Sequence, residues 1–148
     1  MVKKVKRQEA SLINRTPIRV RFSEVDSMQI VWHGEYVRYF EDGREAFGRQ
    51  YGGLGYMEMY NSGYVVPLVK INLEFKYPLV CGDTAIVETR YINCEAAKII
   101  FEYTIYRESD MQVVATGEST QVFLNRDNVL ELVNPEFYIQ WKKKWGVE

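Results

Sequence analysis

Asp26 and His33 stand seven residues apart in the run Phe22-Ser-Glu-Val-Asp26-Ser-Met-Gln-Ile-Val-Trp-His33-Gly-Glu-Tyr36, between a strand-like and a helix-like stretch. A carboxylate placed there faces a helix N-terminus, whose free N–H groups and positive dipole end favour negative charge. That combination suits hydrolysis of an acyl group. The same residue types also have ordinary uses, because a carboxylate before a helix is often only a cap. Taken alone, the pair leaves both uses open. His33 is the only histidine, so no His pair can hold a metal, and no Ser stands in a G-x-S-x-G elbow.

The elements that must position this run follow from hydrophobic period. Ile18, Val20 and Phe22 alternate with Arg19, Arg21 and Ser23, which predicts a half-buried strand starting near Thr16. Residues 1–15, with their basic start, are expected to be a flexible tail, and residues 16–148 a single domain. After Asp26 the period lengthens. Tyr36, Phe40, Gly43, Phe47 and Tyr51 recur at three or four, predicting an amphipathic helix over 34–51. Gly43 on its apolar face implies close approach to a sheet. Gly52-Gly-Leu-Gly55 lacks a following G-K-[ST], so it reads as a helix end and not a phosphate loop.

From Tyr64 the pattern is β. Val69, Ile71, Leu73 and Phe75 alternate with Lys70, Asn72, Glu74 and Lys76, and further strands are expected near 85–91, 99–105 and 112–124. Short breaks at 93–96 and 108–110 make the last three strands an antiparallel meander. Gly117 marks a bulge or a close backbone contact. Asn134-Pro135 reads as a helix start, with Asn134 as N-cap, and Phe137, Trp141 and Trp145 form that helix's apolar stripe. Lys142 to Lys144 are expected on its solvated side. One sheet face needs a cover, and only the helix at 34–51 is long enough. The expected fold class is therefore α+β: a curled antiparallel five-stranded sheet wrapped around one long central helix, with a C-terminal helix.

Composition excludes several functions. The 148 residues carry a net charge of −1, which gives no field to draw the chain to nucleic acid. No apolar run is long enough to span a bilayer, and the N-terminus lacks the apolar core of a secretory signal. Cys81 and Cys94 share no C-x-x-C spacing, so no metal site is expected, and both read as reduced thiols of a cytoplasmic protein. No cofactor is expected.

The run from Asp26 to Tyr36, followed by Tyr39-Phe-Glu41-Asp-Gly-Arg44, resembles the signature of the hotdog-fold acyl-CoA thioesterases of the 4-hydroxybenzoyl-CoA thioesterase type. Phe22, Asp26, Val31, His33, Tyr36, Glu41 and Arg44 fall in register with it, and Gly82-Asp83 resembles the family's turn before a strand. The resemblance covers about Thr16 to Leu124. Two positions depart from the pattern: Gln29 stands where Gly is common, and Glu24 where Asp is common. A family glycine at positive φ would require Gln29 to adopt that conformation; its amide is also a candidate to reach the substrate.

The resemblance implies that Asp26 attacks a thioester carbonyl or activates a water for that attack, and that a backbone N–H near His33 stabilises the oxyanion. His33 has three open roles: orienting Asp26, binding the thioester oxygen, or protonating the leaving thiolate. Tyr36 is assigned half to core and half to pocket wall, and Glu41 with Arg44 to an ion pair. Coenzyme A brings phosphates, for which Lys70, Lys76, Arg90, Lys98 and Arg107 are candidates. The implied partners are an acyl-CoA substrate and a second copy, as a homodimer or dimer of dimers with the site at the subunit junction. The competing readings are an acyl-thioester dehydratase, a non-catalytic acyl-binding protein of the same fold, and a small β-sheet binding module with a helix in its concavity.

Overall fold

A computed structural model describes residues 12–148. The elements in chain order are β1 (Leu12–Arg19), a 3₁₀ turn (Phe22–Glu24), α1 (Glu35–Gln50), α2 (Tyr56–Asn61), β2 (Leu68–Phe75), β3 (Thr84–Ile92), β4 (Lys98–Arg107), β5 (Gln112–Val122) and α3 (Glu136–Lys144). The strands form one five-stranded sheet in the order β1-β3-β4-β5-β2, with every neighbouring pair antiparallel. β3, β4 and β5 make the expected meander, and α1 covers the sheet.

Packing of α1 follows its sequence period. Tyr36, Tyr39, Phe40, Gly43 and Phe47 are buried, so the apolar stripe faces the strands. Gly43 permits the approach: a Cβ there would lie 2.5 Å from Thr89 Oγ1 and 2.8 Å from Val87 Cγ1. Phe40 stacks on Tyr103 at 4.2 Å between ring centroids. Gly117 of β5 lies beneath that stack, where a Cβ would meet Phe40 Cε2 at 2.5 Å and the Asn72 carbonyl at 2.6 Å. Gly117 therefore marks a close contact, and the β4/β5 register shift falls at Ile105/Tyr106 instead.

The structure corrects four expectations. β1 begins at Leu12, not near Thr16, so the tail boundary at 15 moves back; residues 1–11 lie outside the described residues. Asn14 and Arg15 look solvated in sequence but have partners: Asn14 Nδ2 donates to Gln50 Oε1 at 2.7 Å, and Arg15 Nε to Glu88 Oε2 at 2.8 Å. Phe22 does not continue the strand. It sits in the 3₁₀ turn and is 83% exposed. Asn134 does not cap α3. Pro135 occupies the N-cap, and Asn134 Oδ1 is buried with no hydrogen-bond partner among the described residues. Finally, Lys142 is buried, with Nζ donating to the Cys94 carbonyl at 3.1 Å, while Lys143 and Lys144 are exposed. Burial pushes the Lys142 ammonium below its ordinary pKa.

β2 differs from the other strands. At the sheet edge, seven of its eight residues are exposed, on both faces.

Candidate active site

Asp26 opens a tight loop that folds back on itself. Its N–H donates to the Ile30 carbonyl at 2.9 Å, its carbonyl accepts from Gln29 N–H at 2.9 Å, and its Oδ1 accepts from Met28 N–H at 2.8 Å. Bridges from Val25 to Val31 and from Ile30 to Val80 clamp the loop at both sides. Val31 N–H to the Leu79 carbonyl and Trp32 N–H to the Glu24 carbonyl, both 2.9 Å, fasten the exit toward α1. The second carboxylate oxygen has no hydrogen-bond partner among the described residues. Asp26 thus presents one oxygen from a rigid frame.

Gln29 takes φ +64°, the left-handed region. A non-glycine side chain there costs about 1–2 kcal/mol, and such strain persists only where surrounding bonds over-determine it. The loop keeps the conformation a glycine would take, with an amide side chain added. Glu24, the other departure, is used for support. Its Oε1 accepts from Arg21 N–H at 2.8 Å and from the Tyr39 hydroxyl at 3.2 Å. Burial first, then the Glu24 charge, raises the Tyr39 phenol well above its ordinary pKa.

The N-terminus of α1 follows at once. Gly34 is the N-cap, and no side chain bonds to the first turn. A Cβ on Gly34 would collide with the Trp32 ring, so glycine lets that ring lie over the helix start. His33 is exposed, with its ring tilted against Trp32 at 4.8 Å. Within one copy no hydrogen bond joins His33 to Asp26 among the described residues.

The remaining candidates divide. Tyr36 is buried, edge-on to Phe75 at 5.1 Å, and burial raises its phenol pKa. It belongs to the core beneath the site. Lys70 is exposed on β2. Among the other phosphate candidates, Arg90 bonds Glu88 at 2.5 Å and Thr104 at 2.9 Å, Arg107 grips Asp110 at 2.6 Å, and Lys76 bonds Glu74 at 2.7 Å. Lys70 and Lys98 have no ion-pair partner among the described residues. Arg44 does not pair with Glu41. It turns inward, with Nη1 donating to the Tyr103 hydroxyl at 3.0 Å, and that hydroxyl also bonds Ser119 Oγ.

Two openings flank α1, and neither includes Asp26. A groove of about 830 Å³ between β1 and α1 is polar, with Arg19, Arg21, Arg38, Asp42 and Glu45 along it. A cavity of about 520 Å³ lies at the C-terminal half of α1, roofed by α2 and floored by β4 and β5. The sequence reading missed this cavity. α2 spans six residues and buries only Met59, too little to register as a helical period.

The thioesterase-like superfamily model matches residues 20–140. YneP of Bacillus subtilis (strain 168), provisionally named an acyl-CoA thioesterase, is 35% identical over 106 residues, covering 71% of this chain and 76% of YneP. A 1,4-dihydroxy-2-naphthoyl-CoA hydrolase of Thermosynechococcus vestitus is 27% identical over 68% of this chain and 73% of its own. The crystal structure of a DHNA-CoA thioesterase from Staphylococcus aureus superposes with a TM-score of 0.80 at 21% identity, covering 89% of each chain, and shows the same fold. With a match to most of the described chain and a relative above one third identity, the protein belongs to the thioesterase-like superfamily, on a hotdog fold.

Proposed function

We propose that this protein is an acyl-CoA thioesterase in which Asp26 is the catalytic carboxylate and the open N-terminus of α1 holds the oxyanion. Membership of the superfamily makes thioester hydrolysis the reaction class. One observation carries the assignment of residues: a clamped, half-free carboxylate stands in the loop that leads into a helix start that no side chain caps.

Hydrolysis breaks the acyl carbon–sulfur bond, adds a water oxygen to the acyl carbon and delivers a proton to the leaving thiolate. Asp26 either takes the proton from that water or attacks the carbonyl itself, forming an anhydride that water then opens. A positioned base contributes about 10²- to 10⁴-fold. The carbonyl oxygen, as it gains charge, lies against N–H groups near Gly34, where one such donor is worth about 3–4 kcal/mol. In this reading His33, exposed one residue before Gly34, protonates the thiolate. Gln29 offers its amide to the substrate, and Lys70 and Lys98 are the cations left for the CoA phosphates.

The enzyme works in this reading as a homodimer, pairing β2 with β2 of a second copy, because an exposed edge strand satisfies its backbone groups that way. A cytoplasmic setting fits two free cysteines. The test is thiol release from a panel of short, medium, long and aromatic acyl-CoAs, followed with a thiol-reactive dye. Turnover on at least one class is expected; silence on all of them refutes the proposal. Single-turnover reaction in H₂¹⁸O tests the nucleophilic route, since label enters Asp26 only when water opens an anhydride at its carboxyl carbon.

A further inference from the structure

We propose that Tyr39 is a positioning residue of the active site: through Glu24 it holds the Asp26 loop at a fixed distance from the N-terminus of α1 and keeps Gln29 in its left-handed conformation. The inference rests on Asp26 being the catalytic carboxylate and on that helix end holding the oxyanion.

Tyr39 stands one turn into α1 with no exposed surface, and its hydroxyl bonds Glu24 Oε1 at 3.2 Å. This is the one side-chain hydrogen bond from α1 to residues 21–33 among the described residues. An acceptor closer in sequence is passed over. Glu35 lies four residues earlier on the same helix face, and its Oε2 is buried with no hydrogen-bond partner among the described residues. A bond to Glu35 would satisfy that oxygen within the helix, yet the phenol bonds across to the loop. Burial first, then the Glu24 charge, with a smaller contribution from Glu35, holds the phenol protonated well above its ordinary range. The donor is therefore retained through neutral and moderately alkaline pH.

Glu24 gathers both ends of the loop. Its Oε1 also accepts from Arg21 N–H at 2.8 Å, its carbonyl accepts from Trp32 N–H at 2.9 Å, and its own N–H donates to the Arg21 carbonyl at 3.0 Å. Asp26 follows two residues later, inside the pairing of Val25 with Val31. The loop's other ties, Val31 N–H to the Leu79 carbonyl and Ile30 to Val80, run to the segment between β2 and β3 and not to the helix. Besides the connecting chain and the 2.9 Å bond from Glu35 N–H to the Trp32 carbonyl, only Tyr39 fastens the loop to α1. In the proposed reaction Asp26 and the first N–H groups of α1 act on the same carbonyl group, so their separation must be held. A misplacement of about 1 Å can cost on the order of 10²-fold in rate.

The same tie bears on Gln29. A non-glycine residue at φ +64° keeps that conformation only where surrounding bonds over-determine it. The turn from Asp26 to Gln29 is closed at its base by the pairing of Val25 with Val31 and by the Trp32 to Glu24 bond, and Tyr39 holds Glu24 in place for the second of these. An aspartate at position 24 is shorter by one C–C bond, about 1.5 Å, and falls short of the Tyr39 hydroxyl. Glu24 and Gln29, the two departures from the family pattern, are thus linked: the longer acid braces the loop that the glutamine strains.

Kinetics of single and double variants test this, with the acyl-CoA that the wild type turns over fastest and rates taken per folded chain from urea unfolding. Tyr39→Phe is expected to lower kcat by about 10-fold or more, with KM within a factor of two. The shape of its kcat–pH profile stays that of the wild type, since the phenol passes no proton to the substrate. Glu24→Asp should lose as much, whereas Glu24→Gln keeps an acceptor oxygen and stays within about threefold of wild type. In a Gln29→Gly background Tyr39→Phe should cost no more than about threefold, because glycine takes the left-handed conformation without a brace. A Tyr39→Phe kcat within a factor of two of wild type overturns the positioning role. So does a loss confined to KM, a loss that disappears per folded chain, or a pH limb that vanishes with the hydroxyl. An equal loss with and without Gln29→Gly overturns the link to Gln29. Should Tyr39→Phe fail to fold, Glu24→Asp against Glu24→Gln reads the same bond, and equal rates in those two overturn the proposal. Wild-type rates in Asp26→Asn overturn the proposed function instead.

Discussion

At its N-terminal end α1 starts from Gly34 with no side-chain cap, beneath exposed Trp32 and His33 and beside a loop that holds Gln29 in the left-handed region. At its C-terminal end the polar groups are closed by protein. Tyr51 N–H donates to the Phe47 carbonyl, Trp141 Nε1 to the Tyr51 carbonyl at 2.9 Å, and Trp145 Nε1 to the Gly52 carbonyl at 3.0 Å. Gly53, at φ +120°, gives Trp141 the room, since a Cβ there would lie 2.7 Å from Trp141 Cδ1. Every helix leaves orphan backbone groups at both ends. This one has its carbonyl end tied to α3 and leaves its N–H end open, and an open N–H end is an anion site. The difference separates an end closed by protein from the end to which the proposed function assigns the chemistry.

The comparison predicts opposite phenotypes for changes at the two ends. The largest effect is on rate: Asp26→Asn lowers kcat by about 10²- to 10⁴-fold with an unchanged thermal midpoint. A variant that instead loses folding stability would show that the loop belongs to the scaffold. At the other end Trp141→Ala removes a buried indole and the donor that closes Tyr51, at a cost of about 3–5 kcal/mol in urea unfolding. Its kcat on acetyl-CoA is expected to stay within a factor of two, and a rate loss as large as that of Asp26→Asn would erase the distinction.

Smaller effects sharpen the boundary. Burial raises the phenols of Tyr36, Tyr91, Tyr103 and Tyr138 above the ordinary 10.0. The native state therefore holds these protons more tightly than the unfolded chain. Their contribution is complete below pH 10 and is lost as pH rises above it toward the raised values. The urea midpoint should fall between pH 9 and pH 11, and Tyr91→Phe should flatten that slope; an unchanged slope would show that the closed end does not set alkaline stability. Last, Gln29→Gly relieves the left-handed side chain and stabilises the fold by up to about 1 kcal/mol, partly offset by a looser unfolded chain. A several-fold rise in KM is expected with it, since the amide is lost, and an unchanged KM would remove Gln29 from the binding surface.

Much of the fold was legible because periodicity records which face is buried. The run Tyr36, Phe40, Gly43, Phe47 could serve only one helix face, and Gly43 announced the close sheet beneath it. The alternation in β3 and β4 was equally plain. Polar residues that find partners far away in sequence were not legible: Asn14 reaches Gln50, Arg15 reaches Glu88, and Lys142 reaches Cys94. Each was read as solvated because long-range hydrogen bonds leave no local pattern. For the same reason Arg44 was assigned to Glu41, its neighbour on the helix, while its partner is Tyr103 on β4.

The sequence by itself determined the order of the five strands and the two longer helices, the family, and the placing of Asp26 and His33 before a central helix. These depend on residue types at short spacing, which local propensity and a 3.6- or 2-residue period express directly. Only the tertiary structure decided that Gln29 keeps a glycine's conformation, that the C-terminal end of α1 is sealed by two indoles, and that a cavity opens between α1 and α2. It also left β2, which alternates in sequence as a half-buried strand does, exposed on both faces. Burial is a property of what packs against a residue, and among the described residues little packs against β2.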